Sequence, residues 1–167
     1  MKQVLITGGA GFIGSHTADV LLSQGFAVRV LDNLSNGKRA NLNASALADG
    51  RLSLIDGDVR DAAVVDAAVT GVDAVMHLAA ESHVDRSIDG PAPFILSNVV
   101  GTFTLLEAAR EFLLTRDATA RRRFRFHHVS TDEVYGSLSK TDLPFTEDHA
   151  YEPNSPYSAS KAASDHL

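Results

Sequence analysis

Val4-Leu5-Ile6-Thr7-Gly8-Gly9-Ala10-Gly11-Phe12-Ile13-Gly14 is the stretch that decides the fold of this chain. A short apolar run stops at two glycines, and a helical pattern follows from about Gly11 to Gln24. Phe12, Ile13, Thr17, Val20 and Leu21 recur there at three- and four-residue intervals. Gly9, Gly11 and Gly14 form G-x-G-x-x-G, while Gly8, Gly11 and Gly14 form G-x-x-G-x-x-G. Glycines between a strand and a helix let the backbone turn tightly and let a pyrophosphate approach main-chain N–H groups. The helix N-terminus adds a favourable field for that negative charge. The spacing predicts a phosphate cradle at Gly8, Gly11 and Gly14.

Working outward, Gly25 closes the first helix, and Val28–Leu31 reads as a second strand ending at Asp32. Leu52–Ile55 is a third strand, ending at Asp56-Gly57-Asp58. Asp61 caps a helix to about Val69, and Ala74–Leu78 is a fourth strand. A long helix covers Pro93 to Leu114, best formed after Asn98, with Phe103, Leu105, Leu106, Phe112 and Leu113 as core positions. Phe124–Ser130 is a fifth strand. Gly136–Asn154 reads as a surface loop, and a last helix opens at Pro156 with Asn154 or Ser155 as its cap. Arg121-Arg122-Arg123 with Arg125 reads as a solvated loop face. Strands alternating with helices imply βαβ units, hence an α/β, doubly wound parallel sheet of the Rossmann type. Residues 1–167 are expected to form one dinucleotide-binding domain that also carries the catalytic motifs.

Composition narrows the function classes. With 15 Lys+Arg against 21 Asp+Glu the formal net charge is −6, and 44% of the 167 residues are hydrophobic. That describes one globular domain with a core and makes nucleic acid an unexpected partner. The absence of cysteine removes disulfides and thiolate metal sites. His77, His83, His127 and His128 form no convincing ligand set, so no metal is expected. No apolar run approaches the ~20 residues that span a bilayer. Met1-Lys2-Gln3-Val4 has no room for a secretory leader, so the expectation is a cytoplasmic protein with no membrane partner.

Three constellations carry chemistry. Asp32, 18 residues beyond Gly14, can accept from both adenosine ribose hydroxyls and repels a 2′-phosphate, which favours NAD over NADP. Lys38 and Arg39 lie close enough to blunt that preference. Asp58 reads equally as an adenine contact or as a turn aspartate. Tyr157 and Lys161 stand at i and i+4, on one helix face. A tyrosine titrates near pKa ~10, so a base at neutrality needs a downward shift of roughly three units. A lysine and an oxidised nicotinamide both favour phenolate, which then takes a hydroxyl proton as hydride leaves the same carbon. Ser130-Thr131-Asp132-Glu133-Val134-Tyr135-Gly136 puts adjacent carboxylates past the fifth strand, at the edge where doubly wound sheets bind ligands. Both acids address one substrate only if the chain leaves the pleat there. The alternative is a solvated acidic turn.

These motifs resemble the extended short-chain dehydrogenase/reductase superfamily of nucleotide-sugar epimerases and dehydratases. Within it the chain is most similar to the dTDP-glucose 4,6-dehydratases. The resemblance rests on Thr7–Gly14, on His77-Leu78-Ala79-Ala80-Glu81-Ser82-His83-Val84-Asp85-Arg86-Ser87, on Phe126–Gly136, and on Ser155–Lys161 through Leu167. It implies cofactor contacts from Gly8, Gly11, Phe12, Ile13, Gly14, Asp32, Asp58, Val59, Leu78, Ala79, Ala80, Asn98, Tyr157 and Lys161. It places Ser82 and Thr131 at the sugar. Tyr157, helped by Lys161 and Thr131, would take the 4-hydroxyl proton while C4 gives hydride to NAD. Glu133 would remove the C5 proton and Asp132 would protonate the departing 6-hydroxyl. Return of the hydride to C6, with C5 reprotonated, gives a 4-keto-6-deoxy sugar. Neighbouring carboxyls push their protonation apart, so one base and one neutral acid is a sensible pair. The family continues into further strands and a C-terminal substrate domain, so the chain is expected to be its N-terminal portion. The family also implies a homodimer built on the long helix and the last one. Asp32-Asn33-Leu34-Ser35-Asn36-Gly37 resembles the epimerase version of that loop instead. That keeps a UDP-sugar 4-epimerase or decarboxylase open, beside a non-catalytic NAD-binding fragment.

Overall fold

The computed structural model describes residues 2–167. The strands are β1 (Gln3–Thr7), β2 (Ala27–Asp32), β3 (Leu52–Asp56), β4 (Ala74–His77) and β5 (Arg125–His128). They form one all-parallel sheet in the order β3-β2-β1-β4-β5. β1 is central, with Val4 facing Val28 of β2 on one side and Ala74 of β4 on the other. The strand order reverses direction at β1, so the crevice between the carboxyl ends of β1 and β4 is where such a sheet takes a ligand.

Side-chain alternation along β1 builds the two layers. Leu5 packs with Leu31 and Val75 into a cluster completed by Val65 and Val69 of α3 (Ala62–Val69). Leu105 and Ala109 of the long helix α5 (Ala92–Leu114) join the same cluster. Val4 and Ile6 point the other way, against Ala18 and Leu22 of α1 (Phe12–Ser23) and Ala46 of α2 (Ala44–Ala48). Leu5 and Ile6 are both 0% exposed, so neither face of the sheet is wet at its centre. Burying each such side chain contributes about 1.5–3 kcal/mol. Three helices remain: α4 (Val84–Asp89), α6 (Ala118–Arg123) and α7 (Pro156–Asp165).

Several expectations need correction. The buried stripe of α1 is Gly14, Ser15, Ala18 and Leu22, whereas Phe12 is 80% exposed and Ile13 66%. Only small residues let the first turn of α1 lie against the exit of β1, so the large apolar ones face outward. Phe103 is also exposed, while Leu105 holds the core position beneath it. The arginine run lies on α6, a helix capped by Asp117 accepting from Thr119 and Ala120, not in a loop. β4 stops at His77 and β5 is shorter at both ends than expected. α5 is longer and more apolar than the sequence run implied. Over 18 of its 23 residues the mean hydropathy is 1.3, enough by length and composition to cross a membrane, yet its Leu105 face is packed on the sheet. Ile95–Val100 within it is a π-helical turn, in which Gly101 N–H donates to Leu96 O.

Close approach at the glycine turn fixes where α1 begins. Gly8 adopts φ +71°, and a Cβ on Gly14 would sit 2.3 Å from Gly8 O and 2.7 Å from Gly9 Cα. Those atoms are backbone and cannot step aside. Gly14→Ala is therefore expected to lower unfolding free energy by about 3 kcal/mol or more. Gly25→Ala, at φ +84° with open space around it, should cost only about 1–2 kcal/mol. Urea unfolding of the two variants checks the ordering; equal losses would contradict the packing argument.

Candidate active site

The carboxyl ends of all five strands open into one cleft of about 440 Å³. Its walls include Gly8, Gly11, Phe12, Ile13, Gly14, Asp32, Asp58, Val59, Leu78, Ala79, Ala80, Ser82, Tyr157 and Lys161. The structure thus brings the glycine turn and the tyrosine–lysine pair to the same cavity, although about 150 residues separate them in sequence. Gly11 caps α1 with no side-chain hydrogen bond, and the amides of Phe12, Ile13 and Gly14 have no acceptor among the described residues. Free N–H groups at a helix start, beside glycines that leave the backbone bare, fit a pyrophosphate.

Asp32 ends β2 almost fully buried. Its Oδ2 accepts from Ala10 N–H at 2.9 Å and its Oδ1 from Leu34 N–H at 2.8 Å. The carboxylate therefore ties the glycine turn to the loop that follows β2, where Leu34 takes φ +56°. Each oxygen keeps a further lone pair for a ribose hydroxyl. Ser35, Asn36 and Gly37 of that loop also line the cleft, a contribution the sequence reading did not assign. Gly37 beside Asn36 was the available signal, since a Cβ there would meet Asp32 Oδ1 at 2.9 Å.

Asp58 takes the turn-aspartate form of its sequence reading. It lines the cleft, and it also accepts from Arg60 N–H at 2.9 Å and pairs with the Arg60 guanidinium at 2.7 Å. Asn33 Nδ2 donates to it at 3.2 Å. The Arg60 hydrogen bonds, the largest influence, hold its pKa down to about 2, against the opposing effect of partial burial.

Beyond β4 the chain is held by a buried histidine. Thr102 Oγ1 donates to Asn98 O, so it accepts from His77 Nε2–H at 2.9 Å. His77 Nδ1 then accepts from the Thr7 hydroxyl at 2.6 Å, and Thr7 Oγ1 accepts from Ala79 N–H. Burial, then the charges of His128 and Lys161, pull the His77 pKa to about 3, so the ring stays neutral in this arrangement. Asn98 is spent differently from its expectation. It is fully buried behind the cleft wall, accepting from Glu81 N–H at 2.8 Å and donating to Glu81 O and to Ser160 Oγ, both at 2.9 Å.

α7 presents the pair. Ser155 and Ser158 form a reciprocal capping box at its start, which selects Ser155 over Asn154 as the cap. Ser87 Oγ of α4 accepts from Tyr157 N–H at 3.1 Å. Lys161 is buried and donates to Val129 O at 2.5 Å. Past β5 the chain does leave the pleat. Asp132–Tyr135 is a 3₁₀ turn capped by Thr131, whose Oγ1 accepts from Glu133 N–H. Thr131, Asp132 and Glu133 all act on the Tyr157 phenol. Burial pushes its pKa up, the neighbouring Thr131 hydroxyl pulls it down, and the Glu133 and Asp132 charges push it up again. Lys161 is itself lowered by burial. The residues of this chain therefore do not supply the downward shift that a tyrosinate base needs; a cation entering the cleft beside the phenol would supply it.

The Asp58 pair has a signed pH consequence. A carboxylate held below its ordinary value adds stability above about pH 4 and loses it as pH falls through about 2. Arg60→Met should return the Asp58 midpoint towards the ordinary range in a carboxyl NMR titration. The stability gap between the two proteins should close as pH drops across that window, and a pH-independent gap would refute the pairing.

Comparison with known proteins fits this geometry. A family model described as GDP-mannose 4,6 dehydratase matches residues 5–167. A dTDP-glucose 4,6-dehydratase of Xanthomonas campestris is 52% identical over 169 residues, covering all of this chain and 48% of that protein. One from Escherichia coli is 48% identical, covering 99% of this chain and 49% of its own length. Among solved structures, a Streptomyces venezuelae dTDP-glucose 4,6-dehydratase with NAD bound superposes with a TM-score of 0.85 at 48% identity, over 98% of this chain and 49% of that one. A Thermus thermophilus UDP-glucose 4-epimerase with NAD gives 0.82 at 34% identity, over 98% and 49%. The chain spans about half the length of the curated relatives it matches. On the matched residues and the shared fold together, this chain belongs to the GDP-mannose 4,6 dehydratase family.

Proposed function

We propose that residues 1–167 form the NAD-binding, catalytic portion of a nucleotide-sugar 4,6-dehydratase acting on dTDP-glucose. The observation that carries the reading is one cleft that runs from unpaired amides at Phe12–Gly14 to Tyr157 and Lys161, with Thr131, Asp132 and Glu133 near enough to bear on the phenol's ionisation. NAD, when bound, supplies a hydride acceptor at the end of the cleft nearest Tyr157. Gly8, Gly11, Gly14 and the amides of Phe12 and Ile13 hold its pyrophosphate, and Asp32 its adenosine ribose. Asp58 and Val59 flank the adenine, while Leu78, Ala79 and Ala80 line the side towards the nicotinamide. Asn98 acts from behind by holding Glu81 and Ser160. Ser82 and Thr131 meet the sugar. Tyr157 takes the 4-hydroxyl proton, assisted by Thr131 and Lys161, once a cation in the cleft favours the phenolate. Glu133 then removes the proton on C5, made acidic by the C4 ketone, and Asp132 gives a proton to the departing 6-hydroxyl.

A second reading, a UDP-sugar 4-epimerase, draws support from the Asn33–Gly37 loop and from the 34% identical epimerase structure. Adjacent Asp132 and Glu133 favour the dehydratase, because an epimerase has no elimination to catalyse. The exposed apolar row Ile95, Leu96, Val100 and Phe103 on α5 supports a homodimer through that face.

Calorimetry of this chain should give a single NAD site, with NADP at least about tenfold weaker because a 2′-phosphate would face the buried Asp32 carboxylate. No binding, or a preference for NADP, would overturn the cofactor assignment. With dTDP-glucose, a chain extended to the length of its relatives should form the 4-keto-6-deoxy product, and residues 1–167 alone should be nearly inactive. In the extended chain Glu133→Gln should abolish that product, and C4 epimerisation without water loss would favour the second reading.

A further inference from the structure

Asp165 of α7 is held by contacts that cross to the exit of β5 and to the loop before α7. Asp165 Oδ2 accepts from Ser130 Oγ at 2.5 Å and from Tyr151 OH at 3.2 Å, and Oδ1 lies 3.1 Å from His128 Nε2. The side chain is 12% exposed. Asp165 also stands four residues after Lys161, and residues at that spacing have Cβ atoms about 5–6 Å apart on one helix face. Lys161 is 5% exposed with one protein acceptor, the Val129 carbonyl. Two successive turns of α7 therefore grip three successive residues at the exit of β5: Ser164 meets His128, Lys161 meets Val129, and Asp165 meets Ser130. The next residues along that exit are Thr131, Asp132 and Glu133.

We propose that Asp165 is a positioning residue: it is the counter-charge of the buried Lys161 ammonium and the bolt that fixes α7 against the exit of β5. This rests on the reading of Tyr157 and Lys161 as the oxidation pair. Other groups face the ammonium as well. His128 from β5 and His77 from β4 both act on it, and Asp165 is the acidic group that does so. Both imidazoles are pushed towards the neutral form by burial, so neither stabilises nor strongly opposes the charge near neutrality. Removing the Asp165 charge leaves burial unopposed at Lys161, and the ammonium then gives up its proton at a lower pH.

The chain holds four lysines, so ¹³Cε-lysine NMR resolves Lys161 after assignment with Lys161→Met. Expected is a downward move of the Lys161 midpoint in Asp165→Asn, with Lys2, Lys38 and Lys140 unmoved, and a midpoint near that of the parent in Asp165→Glu. NAD affinity of the folded Asp165→Asn chain should fall several-fold and recover in Asp165→Glu. An unmoved Lys161 midpoint in Asp165→Asn, or an equal shift in both variants, overturns the proposal. If Asp165→Asn does not fold, Asp165→Glu decides alone: a Lys161 midpoint displaced downward there overturns the counter-charge role, and a retained one supports it. The underlying reading fails separately, through undiminished NAD binding by Lys161→Met, whatever the lysine titration gives.

Discussion

The contact on which the rest of the molecule depends is backbone against backbone at the exit of β1. Gly14, in the first turn of α1, approaches Gly8 and Gly9 so closely that a single added carbon has nowhere to go. That approach sets the angle at which α1 leaves the sheet, which in turn decides where its unpaired amides aim. Ala10, within the same turn, is gripped from the side by Asp32, so β2 cannot shift without moving the cradle. Packing, capping and anion binding are thus one geometric decision made over seven residues.

Much of this was legible in the sequence because strands and glycine turns are local signals. β1, β2, β3 and α3 with its Asp61 cap follow directly from short apolar runs and their punctuation. The cleft-lining residues at the ends of those strands follow from topology, since parallel strands present all their carboxyl ends at one edge. What misled was the assumption that apolar periodicity marks the buried face. On α1 the buried stripe is chosen for smallness, and Phe12 and Ile13 stand at the cleft mouth, where apolarity serves a different purpose. α6 was missed because three arginines outweighed the Asp117 cap as a signal. Asn98 was legible as a residue near the site but not as one whose amide is consumed in joining Glu81 to Ser160; that requires contacts 17 and 62 residues away.

Electrostatically, the site is left unfinished by its own residues. Burial raises the Tyr157 phenol and lowers the Lys161 ammonium, so both groups lean towards their neutral forms. Asp132 and Glu133 add to the cost of a phenolate. A cleft arranged in this way responds to a positive charge arriving beside Tyr157 far more strongly than a wet surface would, because low polarisability magnifies the interaction. Under the proposed function, occupancy of the cleft is what draws the phenol towards its charged form.

The π-helical turn in α5 has a geometric consequence of its own. Adding one residue to a turn rotates everything downstream by roughly 100° about the axis relative to a regular helix. Asn98, inside that turn, reaches Glu81 and Ser160, and Leu105, seven residues later, lands on the sheet. A lineage that shed one residue from Ile95–Val100 would swing the stretch before the turn, Phe94 included, by that angle relative to the Leu105 face.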